Sequence, residues 1–359
     1  MGLPNIEVTF QALANTAIQR LSRGVVGIIL KDEKANGACE LTRASQIKDK
    51  LKELGVNNQE YISIAFLGYV TAPMKVIAYV LPVTAAVLTE ALDYMATKPI
   101  DYLVGPPDIT PTQAEEIQEW IDGRRAAKAT PKAVLPKLAA DNYAIVNFTT
   151  EDIVAGVKNY TTAGFCSRIA GLIAGTPVTI SCTYAPLPEV TRVKALDKEA
   201  MDDAVDAGEF IIFSDGAKVK VGRAVNSFQN AKGIATLNDS WKKIKIVEAM
   251  DMMMSDISAT AQDTYIGKYA NSYDNKCLLI TAISNYFAAL EREGVLAAGR
   301  SSIEIDIDAQ ESYLLSKGVD IASMSEQDIK EANTGSTVFL RASVSILDAI
   351  EDITLKITI

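Results

Sequence analysis

Histidine is absent from this chain of 359 residues. Without histidine there is no Ser-His-Asp or Cys-His nucleophile, no histidine-ligated zinc and no imidazole acid or base. Cysteine is scarce too: only Cys39, Cys166, Cys182 and Cys277 occur, with no Cys-x-x-Cys pair among them. Their spacing excludes a zinc ribbon or a thioredoxin-type motif and predicts reduced thiols in a cytosolic product. The enzyme classes left open use carboxylates, lysine or a cofactor.

Excess basic charge and long apolar runs are also missing. The 35 basic side chains stand against 45 acidic ones, which gives a net charge of -10 and argues against a dedicated nucleic-acid-binding protein. The most apolar window, from about Ile62 to Leu92, is interrupted by Pro73, Lys75 and Pro82, so we expect no membrane insertion. The first ten residues lack the basic and apolar regions of a secretory signal.

Hydrophobic residues make up 48% of the chain, enough for two or three domains with substantial cores. Between about residue 24 and residue 148, apolar runs typical of buried strands alternate with amphipathic helical patterns. The predicted elements are strands at Gly24–Leu30, Val76–Leu81, Asp101–Val104, Ala133–Leu135 and Ala144–Phe148, and helices from Thr84 to about Thr97 and from Thr110-Pro111 onward. This alternation predicts an α/β fold around a largely parallel sheet.

The pattern changes beyond Leu237. Helical spacing of Ile246, Met250, Met253 and Ile257 predicts a core helix, and a second helix is expected from about Lys276 to Glu293. Strand patterns follow, at Ile303–Ile307 and Val338–Ile346. We therefore expect an α+β arrangement in the C-terminal part of the chain.

Motifs for cofactors and metals fail on inspection. Gly164, Gly171 and Gly175 lack the spacing of a nucleotide-binding loop and are interpreted as close-packing positions in a helix. Asp306-Ile307-Asp308 begins like a calcium loop, but Glu311 takes its required glycine position and Lys317 its bidentate glutamate position. Because Glu304, Asp306 and Asp308 alternate, we interpret them as a solvated acidic face of a strand. No catalytic residue, cofactor or metal ligand is predicted.

Charge is concentrated in two stretches of the sequence. Residues 218–245 hold seven basic side chains and one acid, a net +6, while residues 301–359 hold four bases and eleven acids, a net −7. Two solvated faces are one interpretation. The other is electrostatic complementarity between copies of the chain, or towards an acidic partner.

Both ends of the chain alternate apolar and polar residues, as short amphipathic strands do. The first is Ile6-Glu7-Val8-Thr9-Phe10, and the last runs from Ile353 to Ile359. Such strands pair within their own domain, or they add to the sheet of a neighbouring subunit. From the pattern alone both arrangements stay open.

Five segments, in order, resemble the contractile tail sheath family, which comprises the sheaths of myovirus-type phages and of phage-tail-like bacteriocins. The resemblance is closest to the short sheaths of Gram-positive prophages and diffocin-type particles, and it covers both ends and most of residues 165–359. The segments are GLPNIEVTFQ at residues 2–11, Arg168–Val190, Gly222–Phe228, Tyr265–Leu296 and the terminal SILDAIEDITLKITI.

The resemblance implies a subtilisin-like α/β sheath domain without protease activity and a C-terminal α+β domain that faces a tail tube. The implied division is an N-terminal arm at 1–22, the α/β region at 23–98 and 99–236, the C-terminal domain at 237–345 and a C-terminal arm at 346–359. In the family, both arms add strands to neighbouring subunits. The corresponding arm residues here are Ile6, Val8, Phe10, Ile353, Leu355, Ile357 and Ile359.

The function implied by the resemblance is mechanical. Stacked six-fold rings would surround a tail tube and contract to drive it through a target envelope, with baseplate and tail terminator proteins as further partners. Assembly in the bacterial cytoplasm is expected, within a phage tail or a released tail-like particle. The candidates for holding an acidic tube are Lys242, Lys243 and Lys245. The rival hypotheses are a soluble α/β enzyme and another polymer, such as a tube or shell subunit.

Overall fold

A computed structural model describes residues 17–358 of the chain. These residues form two compact units, which are taken here one at a time. The larger comprises Ser22–Asp251 together with residues 348–358, and the smaller comprises residues 17–21 together with Met252–Leu347. None of the helices in the described part of the chain is long and apolar enough to cross a membrane.

The larger unit is built on a seven-stranded sheet. Its strands follow the order β10-β6-β5-β4-β1-β3-β2, and all neighbours are parallel except β2 and β3. The strands are β1 (Val25–Asp32), β2 (Gly37–Leu41), β3 (Lys75–Pro82), β4 (Tyr102–Val104), β5 (Lys132–Pro136), β6 (Ile145–Phe148) and β10 (Glu209–Phe210). The predicted α/β class with a largely parallel sheet is confirmed.

Helices cover both faces of this sheet, since successive side chains of a strand point to opposite faces. Val26, Ile28 and Leu30 of β1 pack in one core, and Val25 and Ile29 pack in the other. The first core includes α2 (Val56–Ala65) and α5 (Thr162–Ala174), and the second includes α3 (Thr89–Ala96) and α4 (Pro111–Ala126). Burial on both faces explains why these strands appear as continuous apolar runs in the sequence.

Shorter elements complete the larger unit. Two further helices are α1 (Ile47–Lys50), whose Ile47 packs in the first core, and α6 (Lys198–Asp206), which has no buried residue. A three-stranded sheet has the order β8-β7-β9, and β11 pairs with β12. These strands are β7 (Ile153–Ala155), β8 (Lys158–Tyr160), β9 (Val190–Arg192), β11 (Ile212–Ser214) and β12 (Val219–Val221).

The smaller unit combines helices with one two-stranded antiparallel sheet, as the α+β prediction expects. Helix α7 runs from Ile244 to Thr260, so its first half belongs to the larger unit and its second half to the smaller. The other elements are α8 (Tyr273–Arg292), β13 (Ser302–Ile305), α9 (Ile307–Ser316), α10 (Glu326–Glu331) and β14 (Leu340–Ser343). Of the predicted core positions in α7, Ile246 and Met253 are buried, whereas Met250 and Ile257 are half-buried, so the prediction is confirmed for part of this face.

Three predicted elements are wrong in their extent. The strand expected at Val338–Ile346 is limited to β14, Leu340–Ser343. The helix expected from Thr84 begins at Thr89, and the carboxylate of Glu116 accepts from the backbone N–H of Leu88 at its N-terminus. The strand expected through Ile307 stops at Ile305, and with it the predicted alternation of acids on one strand face. Asp306 instead caps α9, since its Oδ1 accepts from the backbone N–H of Ala309.

Candidate functional site

The described chain leaves the smaller unit through a short backbone ladder beside β14. The backbone N–H of Ala297 donates to Ser345 O at 2.8 Å, and that of Leu347 donates to Val295 O at 2.9 Å. Beyond Leu347, none of residues 348–358 belongs to a strand or makes a backbone hydrogen bond to another described residue. Within residues 17–358 this segment therefore has no strand partner.

The C-terminal segment nevertheless carries large apolar side chains into solvent. Ile353 is 82% exposed, and Leu355 and Ile357 are each 77% exposed. Ile350, three residues earlier, is 87% exposed. Contiguous apolar surface of this kind marks an interaction site on a soluble protein. The predicted arm residues Ile6, Val8, Phe10 and Ile359 lie outside the described residues.

Acidic residues at the base of this segment are fastened to the larger unit by what we call the arm clamp. Its members are Thr183, Arg223 and Lys243 on the body, with Asp348, Glu351 and Asp352 on the segment. Arg223 Nη2 lies 2.7 Å from Asp352 Oδ1, and Arg223 Nε lies 3.6 Å from Glu351 Oε2. Lys243 forms an ion pair with Asp348 and lies 3.5 Å from Glu351 Oε2.

Glu351 is the centre of the arm clamp. Its side chain is only 7% exposed, and its Oε1 accepts a hydrogen bond from Thr183 Oγ1 at 2.6 Å. The hydrogen bond that Arg223 donates to Asp352 raises the pKa of Arg223, and the charge of Glu351 adds to this effect. Burial would lower the pKa of Lys243, but Asp348 and Glu351 together raise it. Both cations therefore keep their charge throughout the physiological range.

The arm clamp joins the two charged stretches of the sequence. Arg223 and Lys243 come from the basic stretch, and their three carboxylate partners come from the acidic one. Part of each stretch is thus used within a single chain, an arrangement that neither interpretation of the charge pattern included. Lys242 pairs with Asp239 at 3.5 Å, and Lys245 is buried, which lowers its pKa. A tube-facing role for Lys242, Lys243 and Lys245 stays a prediction.

The N-terminal end of the described chain has an anchor of its own in the smaller unit. Asp256 of α7 has a fully buried side chain and accepts from the backbone N–H of Leu21 at 2.9 Å. The same carboxylate accepts from Tyr286 Oη at 2.7 Å and lies 3.5 Å from Arg20 Nε. Two residues earlier, the backbone N–H of Gln19 donates to Thr260 Oγ1. Residues 19–21 are therefore bound along one side of α7.

A buried network of charges attaches the first half of α7 to the sheet of the larger unit. Lys132 of β5 lies 3.0 Å from Asp251 and 3.1 Å from Glu248, and Arg125 pairs with Asp251 at 2.7 Å. Burial alone would raise the pKa of Glu248, but Lys132 and Arg23 lower it to about 2. These contacts give α7 a rigid base from charged groups rather than from apolar packing alone.

The exposed two-stranded sheet of the smaller unit is a candidate receiving surface. β13 and β14 pair over four residues each, from Ser302↔Ser343 to Ile305↔Leu340. No other strand of residues 17–358 pairs with either outer edge. Arg341 lies across the pair, 3.3 Å from Glu304 and 3.1 Å from Asp308. Both outer edges keep backbone groups that can bind an added strand.

A cleft of about 710 Å3 beside the ends of β6 and β10 is where the rival enzyme hypothesis would find its site. Lys137 and Lys194 line this cleft, and both pair with Glu151. That hydrogen bonding raises the pKa of Lys194 and lowers that of Glu151 to about 2. A general base or acid needs the opposite shifts. The described residues also contain no cluster of three potential metal ligands.

All four cysteines are free thiols, as the sequence predicts. Burial raises the pKa of Cys182 to about 12, so this thiol is a poor nucleophile. Together these features define an α/β structural protein whose candidate site lies at its chain ends rather than in a cleft.

Comparison with known proteins identifies the family. Residues 82–227 match the phage tail sheath protein central domain, and residues 236–359 match the phage tail sheath C-terminal domain. The tail sheath protein of Clostridium phage phiCD119 is 36% identical over 362 residues, which span 99% of each chain. The chain therefore belongs to the phage tail sheath family and is a structural subunit of a contractile tail sheath, not an enzyme.

Solved structures share the fold at lower identity. The sheath tail protein of Desulfitobacterium hafniense has a TM-score of 0.69 at 14% identity, covering 84% of this chain and 94% of that one. The contracted helical sheath of the anti-feeding prophage has a TM-score of 0.71 at 15% identity, covering 100% and 99%. The resemblance inferred from the sequence is confirmed, and the protein is a component of a phage tail or tail-like particle.

Proposed function

We propose that this chain polymerises as stacked six-fold rings around a tail tube, with subunits linked by strands from both termini. The proposal rests on one observation: the chain has both an exposed apolar segment and a small sheet whose outer edges have no strand partner among the described residues. Ile353, Leu355 and Ile357 lie in solvent without a strand partner, and the β13–β14 sheet leaves both outer edges open among the described residues. Backbone hydrogen bonds supply affinity in such strand addition, and alternate side chains supply register.

The energy of one link is modest, but it is repeated at every subunit of the polymer. Burying three branched side chains contributes about 1.5–3 kcal/mol each before ordering costs, and each backbone hydrogen bond adds about 1 kcal/mol net. Ile6, Val8 and Phe10 would add a second strand from the N-terminal side. A subunit linked through both ends keeps its neighbours when its body moves.

Contraction then follows as a change of packing between bodies while the links persist. The fold match to a sheath recorded in its contracted state supports this proposal. A gain of a few kcal/mol per subunit is the scale of an ordinary two-state switch, and it sums over every copy in the sheath. Release of this energy would drive the enclosed tube through a target envelope.

Further partners follow from the same architecture. We propose contacts with a tail tube protein, a baseplate and a tail terminator, after assembly in the bacterial cytoplasm. An anti-feeding prophage baseplate structure contains a chain with the same fold at a TM-score of 0.65, which supports the baseplate contact. Among the predicted tube-facing lysines, Lys242 is the best candidate, since its side chain is 32% exposed and its only described ion pair is with nearby Asp239. Lys242→Glu should weaken assembly around the tube in the extended state more than the contracted sheath, as seen by electron microscopy.

Deletion of either end tests the strand links directly. Chains lacking residues 1–12 or 350–359 should stay folded and soluble but form no tubular sheaths in negative-stain microscopy. Normal sheaths from either truncation contradict the proposal.

Point variants separate the two faces of the C-terminal strand. Ile353→Thr, Leu355→Thr and Ile357→Thr together remove the apolar face and should abolish assembly. The matched control replaces Thr354 and Thr358 by serine on the other face and should assemble like the parent chain.

A further inference from the structure

We propose that Arg223 and Lys243 are positioning residues for the C-terminal arm, holding its base so that the strand beyond it leaves each subunit from a defined point. This inference rests on the strand-linking function proposed above. It concerns how the arm is presented, which the strand pairing itself does not determine.

The sequence of the segment divides into two parts with different chemistry. The first part holds the acids Asp348, Glu351 and Asp352. Each of them forms an ion pair with Arg223 or Lys243. After Asp352 the seven remaining residues alternate apolar and polar, with Lys356 as their only charged side chain. The part that is fastened and the part that is exposed are therefore adjacent but separate.

Side chains alone provide the fastening. The last backbone hydrogen bond of the described chain is the one from Leu347 to Val295, and residues 348–358 make none to the body. The base of the arm is held instead by the forked contacts of Arg223 and Lys243 and by the hydroxyl of Thr183. A fastening of this kind depends on charge, whereas a strand ladder does not.

The clamp shortens the free part of the arm. Without it, residues 348–358 would follow Leu347 with no contact to fix their base, and with it only residues 353–358 lie beyond the last fastened residue. Extended, these six residues reach about 20 Å, enough for one strand of ordinary length. Fixing the base before assembly removes part of the ordering cost and raises the effective concentration of the strand at its target.

The main test removes the two cations. Arg223→Gln with Lys243→Gln should raise the critical concentration for sheath assembly by about tenfold, measured by sedimentation at increasing protein concentration. Lys137→Gln with Lys194→Gln is the matched control, since these two lysines share the carboxylate of Glu151 in the same unit. The control should assemble like the parent chain.

A complementary variant changes the arm and leaves the body intact. Asp348→Asn, Glu351→Gln and Asp352→Asn together should raise the critical concentration as the cation variant does, so a folding defect at Arg223 does not decide the result. The parent should also lose assembly as salt rises from 0.1 to 1 M, where the screening length falls from about 10 to 3 Å. Both clamp variants should have a flatter salt dependence, a readout that mere destabilisation of the body would not move.

The outcomes separate this inference from the proposed function. Deletion of residues 353–359 should abolish assembly in either case. If that deletion abolishes assembly but both clamp variants assemble at the parent's critical concentration, the positioning role is wrong and the strand link stands. If the deletion leaves assembly intact, the strand link is wrong and the positioning role falls with it.

Discussion

Gly171 of α5 offers the sharpest test of packing in the larger unit. A Cβ built at this position would lie 2.0 Å from the backbone oxygen of Ala65 in α2, and 2.7 Å from its carbonyl carbon. Ordinary contact begins at 3.4 Å, so one helix must move by roughly 1.4 Å to admit a methyl group. The obstacle is backbone, which cannot rotate away as a side chain can.

The expected magnitude follows from two opposing effects. Alanine is favoured over glycine inside a helix by about 1 kcal/mol, while overpacking of a well-packed core costs about 1–3 kcal/mol or more. With a contact this short, Gly171→Ala should lower the free energy of unfolding by about 2 kcal/mol. Gly123 in α4 has no atom within 4 Å of the corresponding Cβ. Gly123→Ala should therefore raise the free energy of unfolding by about 0.5–1 kcal/mol.

Urea unfolding followed by tryptophan fluorescence measures the difference in unfolding free energy between these variants, and it reports on the larger unit. The chain has two tryptophans, Trp120 and Trp241, and both lie within Ser22–Asp251. The experiment is run below the assembly concentration, with light scattering as the check. A Gly171→Ala variant as stable as Gly123→Ala would refute the close-packing interpretation of the glycines in α5.

Two further predictions concern buried carboxylates. The pKa of Glu248 is about 2 in the fold against 4.5 ordinarily, so its ion pairs contribute up to about 3 kcal/mol above pH 4.5, and this is lost as the pH falls towards 2. Glu248→Gln should flatten the pH dependence of the urea midpoint between pH 2 and pH 4.5. An unchanged slope would contradict a stabilising role for the ion pairs of Glu248. Asp256→Ala should lower the free energy of unfolding of the smaller unit by about 3 kcal/mol. The reason is that Tyr286 Oη and the backbone N–H of Leu21 lose their acceptor. Tyr286→Phe removes one of these bonds and should cost less than half as much, as calorimetry can measure.

The elements that the sequence predicts well are those determined by local chemistry. Thr110-Pro111 predicts the start of α4, and the structure adds a capping box in which Thr110 and Gln113 bond reciprocally. The interpretation of Gly171 as a close-packing position in a helix is confirmed by the backbone oxygen of Ala65 beside it. Gly175 also packs closely, against the backbone oxygen of Thr71, but it caps the C-terminus of α5, and Gly164 has only the hydroxyl of Thr161 near its Cβ position. Such signals need only a few consecutive residues. Periodicity and capping therefore predict most of the central sheet and its helices.

The buried network around α7 could not be predicted in the same way. Lys132 and Asp251 are separated by 119 residues, and no local pattern pairs them. A signal was nevertheless present: Lys132 begins an apolar strand, and Asp251 interrupts a run of methionines. A charged side chain at a position where the pattern requires burial implies a partner. The sequence predicts that a partner exists, whereas only the fold identifies it.

The arm clamp escaped prediction for a related reason. Counting charges assigns +6 to one stretch and −7 to another, but a total contains no geometry. Arg223 and Asp352 are 129 positions apart, and their contact depends on how the last residues of the chain run over the larger unit. The charge totals alone do not distinguish complementarity between copies of the chain from complementarity within one copy. The structure places part of it within the chain.

The C-terminal segment combines an acidic base with an alternating apolar part, and the two parts use interactions that depend differently on distance and register. Ion pairs weaken only gradually with distance, so the arm clamp can hold the base of the proposed link without an exact backbone register. Apolar strand pairing depends on register, because a shift by one residue exchanges the two faces. Thr354, Lys356 and Thr358 form the polar face opposite Ile353, Leu355 and Ile357, so one register alone buries the apolar side chains. Under the proposed strand link, the charged base would hold the point at which the arm leaves its own subunit, and the register-specific strand would hold its position in the neighbouring subunit.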